Sequence, residues 1–283
     1  MTNRLKQVEE FWNDNLCGEH FINAEYVSED YFKQYREFRY KKEHHLNCMI
    51  DWQSSKNKDV LEIGLGIGAD GARWAAYARS YTGIDLTDSA VNATKRHFRL
   101  LSLNWKILKG NAESLPFEDN SFDIVYSHGV LHHTPSIMKA LTEIFRVLRR
   151  NGEVILMLYS KNSFNYWLRV QFYFRLRFLF ELIKYKFDLK ITDPWNSHIK
   201  NLYKFGWAYF SWRNWHHHCT DGPECEIANV YYKSEIISLL ENAGFKVKKM
   251  RKAHFPIGSK YPALELFLAR YIGFYQFVWS MKE

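Results

Sequence analysis

Three glycines, Gly64, Gly66 and Gly68, end the apolar run 60–63 and open a helix-forming stretch. Such a turn lets the backbone come close to a ligand. The turn alone does not choose the ligand, because Gly64-x-Gly66-x-x-Ala69 also fits a dinucleotide pattern. Glu62 separates the two readings. A carboxylate just before the turn repels a pyrophosphate and attracts an amino group. Asp85 ends the next apolar segment, where an acid can accept from both hydroxyls of a ribose. The cluster 110–117, with Asn111 and Ala112, is placed to frame an adenine, and 121–135 carries Ser127, His128, His132 and His133.

Strands and helices must alternate to bring these residues together. Segments 59–64, 81–85, 105–110, 122–127 and 151–160 read as strands, and 69–78, 89–103 and 136–150 as helices, the last closed by Asn151-Gly152. This alternation predicts an α/β fold, a Rossmann-like, mostly parallel sheet with helices on both faces. Segments 232–243, 245–252 and 273–282 read as helix, strand and strand, the last two antiparallel with a loop and a short apolar segment, 262–272, between them. Residues 1–58 read as a helical cap, 59–160 with 231–283 as the core, and 161–230 as a helical lid.

In this order the motifs resemble the class I S-adenosylmethionine-dependent methyltransferases, most nearly the branch of ubiquinone and menaquinone biosynthesis. The likeness covers roughly 57–160 and the terminal strands, and implies seven strands with the last antiparallel. It implies S-adenosyl-L-methionine as methyl donor and S-adenosyl-L-homocysteine as product. Glu62 would hold the methionine amino group, with Gly64 and Gly66 against the methionine and ribose. Asp85 would take the ribose hydroxyls, and Leu86, Asn111 and Ala112 the adenine. Asn111 departs from the Asp common in the family, and an amide both donates to and accepts from adenine. Ser127 and His128 would line the methionine end.

Methyl transfer from a sulfonium needs alignment and exclusion of water. A hydroxyl acceptor also needs a base, for which His128, Tyr159, His216 and Asp221 are the candidates. O-methylation of a small molecule is favoured, with N and C open. The rivals are a nicotinamide-dependent reductase, which Glu62 opposes, and a non-catalytic S-adenosylmethionine-binding protein. His132 and His133 read as capping or packing side chains, and Glu113 as either a cofactor contact or a loop cap. His216-His217-His218-Cys219 with Cys225 matches no zinc spacing, so no metal is expected.

Composition narrows the class. Of 283 residues, 47% are hydrophobic and 25% charged, an ordinary globular balance. Without a signal-like start or a long apolar run, a cytoplasmic location is expected. Four scattered cysteines make no disulfide framework. The net charge of +8 concentrates in 160–215, which holds ten Lys/Arg and three acids among many aromatics. The segment 164–187 is read as a lid, or as a surface meeting a membrane or lipid-linked acceptor. Nucleic acid is not expected as a partner, and the oligomeric state is left open.

Overall fold

The computed structural model describes residues 3–257 and 260–283. Helices α1 (Asn3–Asp14), α2 (Glu29–Lys42) and the short α3 (Leu46–Met49) lead into the sheet. Strand β1 (Asp59–Ile63), α4 (Ala69–Ala75), β2 (Ser80–Asp85), α5 (Asp88–Leu100), β3 (Lys106–Lys109) and β4 (Phe122–His128) follow. Helix α6 (Ile137–Val147) leads into β5 (Leu148–Ser160). The insertion forms a π-helical stretch (Asn165–Tyr173) continuous with α7 (Phe174–Lys186), then α8 (Trp195–Phe205) and α9 (His217–Thr220). The chain ends with β6 (Val230–Tyr231), α10 (Lys233–Asn242), β7 (Phe245–Ala253), α11 (Pro262–Ile272) and β8 (Tyr275–Lys282).

The sheet runs β3-β2-β1-β4-β5-β8-β7, with two-residue β6 beside the end of β5. Strands β1 to β5 pair in parallel, and β8 is antiparallel to both β5 and β7. The α/β expectation holds, including the antiparallel last strand. Two local expectations do not. Helix α6 stops at Val147, and Asn151-Gly152 lies within β5, where Asn151 takes φ 63° and the register jumps from Phe122–Leu148 to Ile124–Glu153. The Asn-Gly pair therefore turns a bulge. Residues 262–272, read only as a short apolar segment between the last two strands, form the helix α11.

Strand parity decides which face receives the polar groups. Val60, Ile124, Tyr126, Ile155, Met157, Phe277 and Trp279 join the core beneath α4, α5 and the N-terminal segment. Leu61, Val125, Val154, Leu156 and Val278 face the opposite core, with α6 and α10. Glu62, His128, Tyr159 and Tyr275 therefore share the face that the N-terminal segment covers. A third cluster packs Tyr31, Phe32 and Tyr35 of α2 on Ile67, Ala69 and Ala90. The insertion has its own core of Val170, Phe178, Ile199, Leu202, Tyr209 and Trp215.

Trp74 of α4 is fully buried, edge-on to Trp52 and near Tyr126. Trp74→Ala should destabilise the fold by about 3–5 kcal/mol, the usual cost of a large aromatic cavity. Urea denaturation of the two proteins checks this.

Candidate active site

A cleft opens at the carboxyl ends of β1, β2, β4 and β5, roofed by α1 and α2. Its floor is the turn after β1. Gly64 and Gly66 take φ 83° and 53°, in the left-handed region that favours glycine. A Cβ on Gly64 would fall 2.0 Å from Val130 Cγ2, so the turn is pressed against the segment after β4. At Gly66 a Cβ would meet nothing nearer than Tyr35 Oη at 3.8 Å, so only space for a ligand would be lost.

Glu62 lines the cleft, 2% exposed, and accepts a hydrogen bond from Tyr81 Oη. Burial, then the neighbouring Asp70, pushes its carboxyl well above the usual range. Asp85 accepts from the backbone N–H of Leu65 at 2.7 Å and from the N–H and hydroxyl of Thr87, each at 2.9 Å. Burial raises this carboxyl, and the same hydrogen bonds oppose the rise. A carboxylate has about four lone-pair directions, so these three bonds leave Asp85 one for a ligand hydroxyl. Leu86 and Ala112 complete this end. Asn111 Oδ1 accepts from the Glu113 N–H at 2.9 Å. That fixes the side chain and leaves its NH₂ as a donor toward the cleft.

The roof adds an ion pair that no local motif announces. Arg39 of α2 donates from Nε and Nη2 to both oxygens of Asp70, at 2.8 and 2.5 Å. Tyr40 and Tyr126 donate to the same carboxylate at 3.1 and 2.9 Å. Burial alone would raise Asp70, but the guanidinium holds it well below its usual range. Arg39 also lies 3.5 Å from Glu43 and 3.3 Å from His128 Nδ1. Glu43, Glu62, Asp70, Asp85 and Asp221 thus line the cleft against one guanidinium, Arg39. This balance suits a cationic ligand and opposes a pyrophosphate.

Two buried histidine–carboxylate pairs face the space left over. His128 Nε2 is 3.4 Å from Glu43 Oε2, and His133 Nε2 is 3.8 Å from Asp221 Oδ2. All four atoms lack a hydrogen-bond partner among the described residues. His133 Nδ1 lies against the Ile227 carbonyl, which assigns the proton to Nδ1 and leaves Nε2 as acceptor. His128 Nδ1 accepts from Arg39, which places the proton of this ring on Nε2, facing Glu43. Burial lowers both imidazoles, and of the two only His133 presents an acceptor nitrogen to the cleft. Tyr159 Oη donates to Asp221 Oδ1 at 2.9 Å. Burial, then Asp221, pushes that phenol well up, so it orients the carboxylate and keeps its own proton.

Three readings of the sequence change, and Glu113, read either way, takes the capping role. Ser127 does not line the cleft: its hydroxyl donates to the Ile63 carbonyl at 3.0 Å and ties β4 to β1. His216 faces a separate hollow with Lys161, Trp167 and Trp212, away from Tyr159 and Asp221. Glu113 caps α6 by accepting from the Ser136 N–H at 2.6 Å. His133, read as packing, lies in the cleft, while His132 packs on Tyr159 at 3.9 Å between ring centroids. Arg39, Asp70, Glu43 and His133 were missed. The signals open to inspection were the Arg39/Glu43 spacing of four on one helix and an acid in the first turn after the glycines.

His133, Asp221 and Cys225 each place a ligand-type atom within 4.8 Å of the others, as do Glu43, His45 and His128. Burial raises the Cys225 thiol, and Arg39 stands beside Glu43, so we assign a metal to neither trio.

Residues 61–156 match the family model described as a methyltransferase domain, whose implied cofactor is S-adenosylmethionine. The chain is 39% identical over 97 residues to a phthiotriol/phenolphthiotriol dimycocerosates methyltransferase of Mycobacterium tuberculosis, covering 34% of this chain and 35% of that one. It is 36% identical over 99 residues to a fatty-acid O-methyltransferase of Mycolicibacterium smegmatis, with 34% and 35% covered. The match therefore spans about a third of these relatives' length. A solved S-adenosylmethionine-dependent methyltransferase from Aquifex aeolicus aligns over 87% of this chain and 93% of its own, with TM-score 0.52 and 16% identity. That likeness shows a shared Rossmann-like α/β fold.

Arg39→Leu strands Asp70 without its cation and should cost about 3–5 kcal/mol of stability. Replacing both partners, Arg39→Leu with Asp70→Leu, should cost less than Arg39→Leu alone. A double-mutant cycle in urea checks the order.

Proposed function

We propose that this chain transfers a methyl group from S-adenosylmethionine to the oxygen of a small, largely apolar acceptor. The carrying observation is that Glu62, Asp85 and Asn111 line one acid-rich cleft around a glycine turn. Glu62 would hold the donor's ammonium, Gly64 and Gly66 would admit its backbone-hugging part, Asp85 would take the ribose, and Leu86, Asn111 and Ala112 the adenine. The donor supplies an activated methyl whose transfer leaves a neutral thioether, S-adenosylhomocysteine. The acidity of the cleft argues against the nicotinamide reading.

The chain's own work is placement and proton removal. His133 Nε2 and Asp221 Oδ2 form a gap between two unsatisfied acceptors, suited to a hydroxyl that gives its proton to the imidazole. Tyr159 steadies Asp221, and Ile227 fixes the tautomer of His133. His128, whose Nδ1 accepts from Arg39, presents its N–H toward Glu43 and serves as a donor, so His133 is the favoured base. We read 1–58 as the cap and 161–230 as the substrate cover over a core of 59–160 and 231–283. Leu5, Val8, Trp12 and Leu16 give the cleft an apolar wall. The dimycocerosate and fatty-acid relatives support an apolar or lipid acceptor. The likeness to the quinone branch does not reach the insertion, so its acceptors are not carried over.

The test incubates the chain with methyl-labelled donor and separate aqueous and lipid extracts, read by mass spectrometry. Label in a lipid or apolar fraction is expected; no transfer to any fraction by a chain that binds donor would reject catalysis. Glu62→Gln and Asp85→Asn should each weaken donor binding at least about tenfold, the scale of one lost charged hydrogen bond. Unchanged affinity in both would sink the site. His133→Ala should lower kcat for a hydroxyl acceptor by about 10²-fold or more with donor affinity preserved.

The raised Glu62 gives a sign for pH. The free carboxyl tends to hold its proton, whereas an ammonium against it favours the anion. Donor binding should therefore release a proton, and affinity should fall as pH is lowered. Calorimetry in buffers of different ionisation heat reads the release directly, and Glu62→Gln should abolish it.

A further inference from the structure

The helix through the insertion is apolar on two faces, one turned inward and one outward. Leu168, Phe172, Leu176, Phe180, Ile183 and Phe187 recur every three or four residues, and each is more than half exposed. The face turned inward holds Val170, Phe178 and Glu181. Glu181 is fully buried and neutralised by Arg177 at 2.7 Å and Lys184 at 2.8 Å. A water-facing helix puts its apolar stripe inward and its charges outward. Here the insertion's small core already occupies one face, and a second apolar stripe is left outside.

We propose that this stripe docks on the surface of an anionic lipid bilayer. Lys186, Lys190, Lys200 and Lys204 are exposed on the same helical hairpin. The stretch's only other acids are Asp188 and Asp193, at the tip. An apolar stripe beside lysines, with Trp207 and Trp212 exposed nearby, is the pattern of a helix lying in the headgroup plane. A second copy of the chain would bring the same lysines against these and be repelled; anionic headgroups supply the opposite sign. Among the described residues no helix is long and apolar enough to cross a membrane, so the contact lies in the plane of the surface.

The hairpin is coupled to the cleft. Asn201 of α8 donates to the Pro223 carbonyl at 2.8 Å, two residues beyond Asp221 of the cleft wall. A docked hairpin thus places the cleft's cover at the lipid surface. The docking itself stands apart from methyl transfer, since it rests on the surface alone.

The experiment floats the full chain with vesicles of phosphatidylcholine, with and without phosphatidylglycerol. Binding to the anionic vesicles, weakened by salt, is expected. The combined Phe172→Glu, Phe180→Glu and Ile183→Glu variant should lose bound fraction about tenfold, its fold checked by circular dichroism. Lys186→Glu with Lys190→Glu and Lys200→Glu touches no core and should also weaken anionic binding. Failure of the wild-type chain to float with anionic vesicles overturns the proposal. So does undiminished binding in both variants, or a lipid-free dimer that the glutamate variant dissociates. Donor binding is measured without vesicles, so its failure and the loss of docking are read separately.

Discussion

The pairing of Arg39 with Asp70 is the interaction on which the cleft depends. It joins α2 of the N-terminal segment to the first turn of α4, directly behind the glycine loop. A buried carboxylate without its cation is costly, so α2 can sit in one place only. With α2 fixed, Glu43 and Tyr35 face the cleft, and Tyr126 donates to the same Asp70 from the sheet. Roof and floor therefore share one anchor.

That anchor also sets the electrostatics. Arg39 holds the Asp70 carboxyl low, and burial together with the Asp70 charge pushes the neighbouring Glu62 up. A cation placed beside Glu62 opposes that rise and favours its anion. Two acids of one cleft take opposite protonation tendencies because only one has a guanidinium.

The legible parts were those encoded locally. Strand, glycine turn and helix are contiguous, so Glu62, Gly64 and Gly66 could be read together, and strand parity carried Glu62 and His128 to one face. Asp85 was legible because a parallel neighbour strand ends beside the turn. Arg39, Glu43 and the facing of His133 toward Asp221 were not legible, since each depends on how segments far apart in the chain pack. Ser127 misled because the end of a strand looks like the edge of a site, whereas its hydroxyl satisfies a carbonyl of the neighbouring strand. Asn151-Gly152 read as a helix stop because the same left-handed residue serves a helix end and a bulge. His216 shows the limit of proximity in sequence: five residues from Asp221, it packs on the other side of the insertion's wall.

The insertion is where composition said more than pattern. Its basic and aromatic excess was visible, but the direction of each face was not, because a helix apolar on nearly all sides has no unique inward stripe. The small core of Phe178, Tyr209 and Trp215 resolves this by choosing one side. Glu181, buried at the edge of that core, is paired with Arg177 and Lys184 of its own helix. The residues left outside, from Leu168 to Phe187, are apolar by identity, so choosing the inner face also fixes an apolar exterior.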